Sequence, residues 1–465
     1  MSNQDNIDAA KQKMVELNAV SPTMCLAKWL QSTTTLYNGM THSCHHPSQH
    51  KINIDNLTRN PAGLHNTPEK LIARDDMLNG IQTQECDYCW RIENLTYQDT
   101  MSDRTYKSSS PWAWPHLQDV LDSGVGAEIN PTYFEVAFEH TCNFKCVYCI
   151  PEVSSRWLEE VKTHGAYQLS NKKVHDPEYI LNSNRLPIHY KEYNPYIDAF
   201  WEWWPTLYPS LDTFRITGGE PLLSDHTWNV LDYILLHPRK ELTLAINTNM
   251  GVPQHLVAKL IDYCNRLSPH IKEIQIFTSA EATGPQCEYI RYGMVWDEFK
   301  QNCDDFLTRT DSRVKLSFMV TANLLGATTF TSFLEWILLL RVKHNLTSAF
   351  NRVPIMVAYL RWPNHLAVTN LPNNLKEMYS VEWKEYVDRY NVVGSPGRFY
   401  LEEVDQVTRL INFMNSTAGT EEQAADFYKF QSEYDRRRET NVLIEFPELG
   451  EYYNYGKYLS ERTDV

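Results

Sequence analysis

Three cysteines stand close together in His140-Thr141-Cys142-Asn143-Phe144-Lys145-Cys146-Val147-Tyr148-Cys149, spaced C-x3-C-x2-C. Three thiolates in one tight loop can hold three corners of an iron-sulfur cubane. With 10 Cys among 465 residues, chance produces this spacing with a probability of about 0.005. A 4Fe-4S cluster normally takes four Cys. Three leave one iron free for a small molecule, as an open position separates a catalytic zinc from a closed structural one. Zinc sets, the competing reading, are usually built from separated C-x2-C pairs. Further along, Arg215-Ile216-Thr217-Gly218-Gly219-Glu220-Pro221 ends a strand-like segment. Paired glycines at a strand end admit a ligand close to the backbone, and the neighbouring carboxylate can receive an ammonium group. By itself Gly-Gly-Glu-Pro is also ordinary turn chemistry.

Four more cysteines, Cys25, Cys44, Cys86 and Cys89, lie in the N-terminal region, the last two as C-x2-C. Four thiolates make a closed site that suits a structural zinc or a fully ligated cluster, and spacing does not separate the two. His45 and His46 follow Cys44 and are alternative ligands. Cys264 and Cys303 fall on apolar helical stripes and read as core thiols. Cys287 stays open between a site-facing and a loop position.

These residues need elements to position them. Tyr133 to Glu139, Thr213 to Thr217, Leu242 to Asn247, Glu273 to Phe277, Val314 to Val320 and Pro354 to Leu360 read as strands. Helical spacing fills the intervals at Thr227 to Leu236, Gln254 to Leu267, Trp296 to Thr308 and Thr331 to Lys343. Strand and helix in alternation imply an α/β fold with a parallel sheet and right-handed crossovers. An open sheet and a partial barrel share this pattern. Ahead of the strands lies a loop-rich, Cys-rich segment; behind them the pattern turns helical. The expected division is 1–125, 126–370 and 371–465, the last a helical cap. Glu152 to Pro209 is a long aromatic-rich insertion of the kind that covers a site at strand ends. Polar residues at C-terminal strand ends, Asn247, Thr248, Asn249, Ser279, Glu281 and Asn323, stand where catalytic groups gather in barrels.

Composition excludes several classes. Hydrophobic residues at 42% with 17 Gly and 23 Pro describe a globular chain. A net charge of -15 sets an unfavourable average field for a polyanion, so nucleic acid is a poor partner. No apolar run approaches the roughly 20 residues that span a bilayer. The polar start MSNQDNIDAAKQK lacks the form of a secretory signal, and a cytoplasmic protein is expected.

The cysteine loop resembles the radical S-adenosylmethionine (radical SAM) superfamily, whose signature is C-x3-C-x-aromatic-C after the first barrel strand. Tyr148 holds the aromatic position. Gly218, Gly219, Glu220 and Pro221 match the superfamily's GGE motif one strand later. The resemblance implies a partial (β/α)6 TIM-like barrel and a catalytic 4Fe-4S cluster on Cys142, Cys146 and Cys149. It also implies S-adenosylmethionine on the free iron, cleaved to a 5′-deoxyadenosyl radical that abstracts a substrate hydrogen. Glu220 would meet the methionine amino group, Ser279 and Glu281 the ribose, and Arg291 the methionine carboxylate; Asn323 is a further cofactor-side candidate. The glycine motif of the sixth strand is missing from Pro354 to Leu360. The N-terminal region resembles a twitch-type auxiliary module, here ahead of the barrel, which implies a second cluster, of 4Fe-4S type, on Cys25, Cys44, Cys86 and Cys89. A peptide or small-metabolite substrate and a ferredoxin- or flavodoxin-type electron donor follow. The alternatives are a zinc-stabilised binding protein without chemistry and a degenerate S-adenosylmethionine-binding regulator.

Overall fold

The computed structural model describes residues 3–95, 101–124, 126–189, 191–345 and 350–462. The chain is a mixed α/β fold with a mostly parallel sheet and many helices. Among the described residues the strands are β1 (Gln31–Thr35), β2 (Met40–His42), β3 (His50–Lys51), β4 (Tyr133–Ala137), β5 (Lys145–Cys146), β6 (Thr213–Thr217), β7 (Thr243–Asn247), β8 (Glu273–Ser279), β9 (Arg291–Tyr292), β10 (Lys315–Ala322) and β11 (Ile355–Tyr359). The six strands expected from periodicity are β4, β6, β7, β8, β10 and β11. The chain forms two compact units, Met1–Glu139 with Pro187–Gly218 and Lys240–Ala245, and His140–Leu186 with Gly219–Arg239 and Ile246–Val465.

In the first unit β1 pairs antiparallel with β2 and parallel with β4, which in turn runs parallel to β6. The sequence Gln-Ser-Thr-Thr-Thr of β1 reads as polar, yet all five residues are buried. Three β-branched Thr favour an extended backbone. Most of the strand's hydroxyls find partners: Lys70 Nζ donates to Ser32 Oγ and to Thr41 Oγ1 of β2, both at 2.9 Å, Thr41 Oγ1 lies 3.2 Å from Thr34 Oγ1, and Thr35 Oγ1 donates to Asn38 Oδ1 at 2.6 Å, while the buried Thr33 hydroxyl has no partner among the described residues. Lys70 rides on the helix Pro68–Leu78, opened by the Thr67 hydroxyl accepting from Lys70 N. The aromatic insertion behaves differently from the cover expected of it. Its second half forms the helix Pro195–Leu207, whose Phe200, Trp203 and Trp204 lie on one face. Trp203 meets Phe134 of β4 edge-on at 5.6 Å and Trp204 meets Phe214 of β6 at 4.7 Å, so these rings are core.

In the second unit β8, β10 and β11 are consecutive parallel strands. The helices Gln254–Leu267 and Trp296–Arg309 bury Cys264 and Cys303 in their apolar stripes, as their spacing requires. Cys287 is also fully buried, its Sγ 3.5 Å from Met294 Sδ, which makes it a packing thiol. The tail forms the helices Asn373–Arg389, Leu401–Met414, Glu421–Arg438 and Gly450–Glu461. Arg341, fully buried, grips both oxygens of Glu403 and so ties the helix Phe330–His344 to the tail. Among the described residues no helix is long and apolar enough to cross a membrane.

Candidate functional site

The three-cysteine loop begins just beyond β4. Cys142 N donates to Ser155 Oγ at 3.1 Å, Phe144 N points at Cys142 Sγ at 3.5 Å, and Cys149 N closes a turn on Cys146 O at 2.9 Å. Its middle is pinned as β5, where Cys146 pairs with Arg291 and Lys145 with Tyr292 of β9. All three thiols are half-buried. Burial pushes Cys142 up to about 12 and Cys146 to about 11, and raises Cys149; neighbouring thiols add to this at Cys142 and Cys149, while at Cys146 Arg291 pulls down and Glu281 pushes up. Metal binding at these thiols would therefore displace protons.

The Gly-Gly-Glu turn lies against the start of this loop. A Cβ on Gly219 would stand 2.3 Å from Thr141 O and 2.5 Å from His140 O, so only glycine fits, and Glu220 N donates to Thr141 O at 2.7 Å. Gly218, at φ +128°, supplies the bend. Glu220 is buried and caps the turn Pro221–Leu223: it accepts from Leu222 N at 3.0 Å and from Asn249 N at 2.6 Å. Burial raises its carboxyl to about 7, against the pull of those N–H groups. The loop after β7 is stitched to the cysteine loop as well: Asn249 Nδ2 donates to Asn143 Oδ1 at 2.8 Å, and Asn143 Nδ2 to Gly251 O at 2.9 Å.

Glu281 and Arg291, expected to serve separate parts of a ligand, meet each other. Arg291 Nη2 donates to Glu281 Oε2 at 2.6 Å, with both side chains almost wholly buried. Tyr148 Oη donates to Glu281 Oε1 at 3.2 Å, and the guanidinium lies 5.5 Å from the Tyr148 ring. Burial drives Glu281 up and Arg291 draws it back, which is what pairing two buried charges accomplishes. Arg291 also stands 3.9 Å from Cys146 Sγ, and its buried Nε has no partner among the described residues. Asn323 is spent locally: its side-chain oxygen accepts from Leu325 N and Gly326 N, and its amide donates to Thr321 O. Ser279 is half-buried at the end of β8.

Cys25, Cys44, Cys86 and Cys89 line one pocket of the first unit, together with Lys28, Arg104 and Lys107. Cys25 precedes the helix Leu26–Leu30, and Cys86 precedes the helix Asp87–Glu93 that carries Cys89. Ser108 Oγ lies 3.9 Å from Cys25 Sγ. Burial pushes Cys25 up to about 11 and Cys89 to about 12. Four thiols sharing a pocket with three cations and Asp103 suit a tetrathiolate site in the kind of donor they offer. His46 is turned to Asp103, Nε2 to Oδ2 2.7 Å, and stacks on Tyr88, while His45 is exposed. Among the described residues no three His, Cys, Asp or Glu side chains form a group that could hold a metal ion. The donors at the three-cysteine loop still fit a cluster in kind: three thiols of one loop, with a guanidinium near Cys146 Sγ and an N–H facing Cys142 Sγ.

Sequence reasoning missed Asn143, Trp157, His175 and Tyr434, all bonded to the cysteine loop or to the strands beside it. Asn143 stands inside the motif; Trp157 belongs to the aromatic insertion eight residues past Cys149, and only its spatial partner was hidden, while His175 and Tyr434 lie further along the chain with no local signal for their contacts. No family model matches the chain, and no curated protein matches it.

Proposed function

We propose that the chain is a radical SAM enzyme whose Cys142, Cys146 and Cys149 hold a catalytic 4Fe-4S cluster. The observation that carries this reading is the seating of the Gly218-Gly219-Glu220 turn on the cysteine loop, with backbone of one against backbone of the other and no room for a side chain at Gly219. On this reading the parallel strands belong to a partial (β/α)6 barrel. When bound, the cluster and S-adenosylmethionine supply a 5′-deoxyadenosyl radical that takes a hydrogen atom from a peptide or small-metabolite substrate. The residues of the chain bind and orient. Glu220 offers a buried carboxylate surrounded by N–H donors, and an arriving ammonium group would hold it ionised. Arg291 offers its free Nε to a carboxylate, while Glu281 and Tyr148 fix the guanidinium plane. Cys25, Cys44, Cys86 and Cys89 hold a second, fully ligated cluster. The electron comes from a ferredoxin- or flavodoxin-type donor, and the reaction belongs in the cytoplasm.

The test is anaerobic. Protein purified without oxygen should be brown, absorb broadly at about 400 nm, and release 5′-deoxyadenosine when reduced with S-adenosylmethionine. The Cys142→Ala/Cys146→Ala/Cys149→Ala variant should lose about four irons per chain and all cleavage. A colourless, zinc-containing protein that cleaves nothing would overturn the reading in favour of a binding protein.

A further inference from the structure

Three side chains from outside the motif hold the backbone of the cysteine loop. Trp157 Nε1, on the helix Ser155–His164, donates to Cys146 O at 2.9 Å. His175 is fully buried, and its Nε2 lies 2.7 Å from Cys149 O, an acceptor only, so that nitrogen carries a proton and donates it. Tyr434, on the tail helix Glu421–Arg438, donates to Tyr289 O at 3.0 Å and reaches Lys145 O at 3.4 Å, on either side of the β5–β9 pairing that carries Cys146. Behind them sits a buried carboxylate. Glu160 accepts from Lys145 Nζ at 2.7 Å, Arg438 Nη2 at 2.7 Å and Tyr167 Oη at 2.8 Å, joining the cysteine loop to the tail. Arg438 lies 3.6 Å from the Tyr434 ring, and Trp157 lies 4.2 Å from His175, so the rings are packed as well as bonded.

We propose that Tyr434 is a positioning residue for the three-cysteine loop, which makes the tail helix Glu421–Arg438 a support of that loop. The geometry behind this is independent of which metal binds, though its use in catalysis rests on the radical SAM reading. A loop that must present three thiols in one arrangement gains from fixed carbonyls, because each bond removes a way for the loop to open. Burial of the Tyr434 hydroxyl without these partners would be unfavourable, so the contact is also a constraint on where the tail helix docks.

The test uses full-length Tyr434→Phe, which keeps the ring and loses the hydroxyl, with Trp157→Phe as a second variant that loses the donor to Cys146 O together with part of the buried ring. In metal-free, reduced protein, alkylation of Cys142, Cys146 and Cys149 is followed by mass spectrometry, with the core thiol Cys303 as internal control. Each variant should alkylate at Cys146 about fivefold faster than wild type, with Cys303 unchanged. After reconstitution with iron and sulfide, the reduced cluster of the variants should give an altered electron paramagnetic resonance signal, which a contact serving stability alone would leave in place. Faster alkylation at Cys146 in a protein that takes up no iron at the loop upholds the positioning and overturns the cluster reading. Wild-type alkylation and an unchanged signal in both variants overturn the positioning while leaving the cluster reading intact. Equal acceleration at Cys303 also overturns it, since that marks general loosening.

Discussion

Glu220 carries the most exposed prediction at the scale of single residues, because its charge is held where solvent does not reach. Its carboxyl is raised by burial to about 7 from an ordinary value near 4.5. Between those values the folded state binds more protons than the unfolded chain, so its contribution to stability falls as pH rises through the window. Glu220→Gln cannot titrate. In urea denaturation of the metal-free protein the variant should gain on wild type from pH 4.5 to pH 8, by at most about 3 kcal/mol. A pH-independent difference would mean that the carboxyl ionises normally. Arg291 and Glu281 give a second prediction. Arg291→Met strands a buried carboxylate and should lower stability by about 3 kcal/mol, while Glu281→Gln/Arg291→Met should recover most of the loss. Equal losses in the single and double variants would show that the two side chains act separately.

At the scale of elements, β1 and the helix Pro68–Leu78 meet at the buried side chain of Lys70. Lys70 is buried, its Nζ meets only Ser32 and Thr41 at hydrogen-bond distance among the described residues, and burial and Arg74 hold its pKa well below the ordinary 10.5. For a base lowered on folding, the unfolded chain binds more protons in the window beneath 10.5, so stability rises with pH there. Lys70→Met should stabilise the metal-free protein by about 1–3 kcal/mol at pH 7, since an apolar chain of similar length replaces a buried charge. Thermal melts should show this gain shrinking towards pH 10. A loss at pH 7 would mean that the bonds to Ser32 and Thr41 outweigh desolvation.

The whole molecule holds two sulfur sites, each within one compact unit, and each with its own chain segments and charges. They should therefore be separable in their metal content. On the radical SAM reading, Cys86→Ala/Cys89→Ala should lose about four irons per chain by elemental analysis, yet still form 5′-deoxyadenosine, because a cluster on Cys142, Cys146 and Cys149 would keep its open iron. Loss of zinc in place of iron from that variant would assign Cys25, Cys44, Cys86 and Cys89 a structural role, with the lowered stability expected when a bound metal contributes to folding. Loss of 5′-deoxyadenosine with the cysteine loop still fully loaded would show that the first unit is needed for cleavage.

Sequence alone carried the sites made of contiguous residues. The three thiols within eight positions, the glycine pair at a strand end and the apolar stripes of the helices are local patterns, and local patterns survive in a one-dimensional reading. That is why six strands and the core positions of Cys264 and Cys303 were legible. Tertiary structure decided whatever depends on pairing at a distance. The polar β1 is a buried strand whose Ser32 and Thr34 hydroxyls meet Lys70 and Thr41, partners that its own five residues do not announce. Arg291 and Glu281 are ten residues apart and meet as an ion pair. Tyr434 reaches Lys145 O across 289 positions. Hydrogen bonds and ion pairs of this kind leave no periodicity behind, since their partners are chosen by the packing of the folded chain and not by spacing along it.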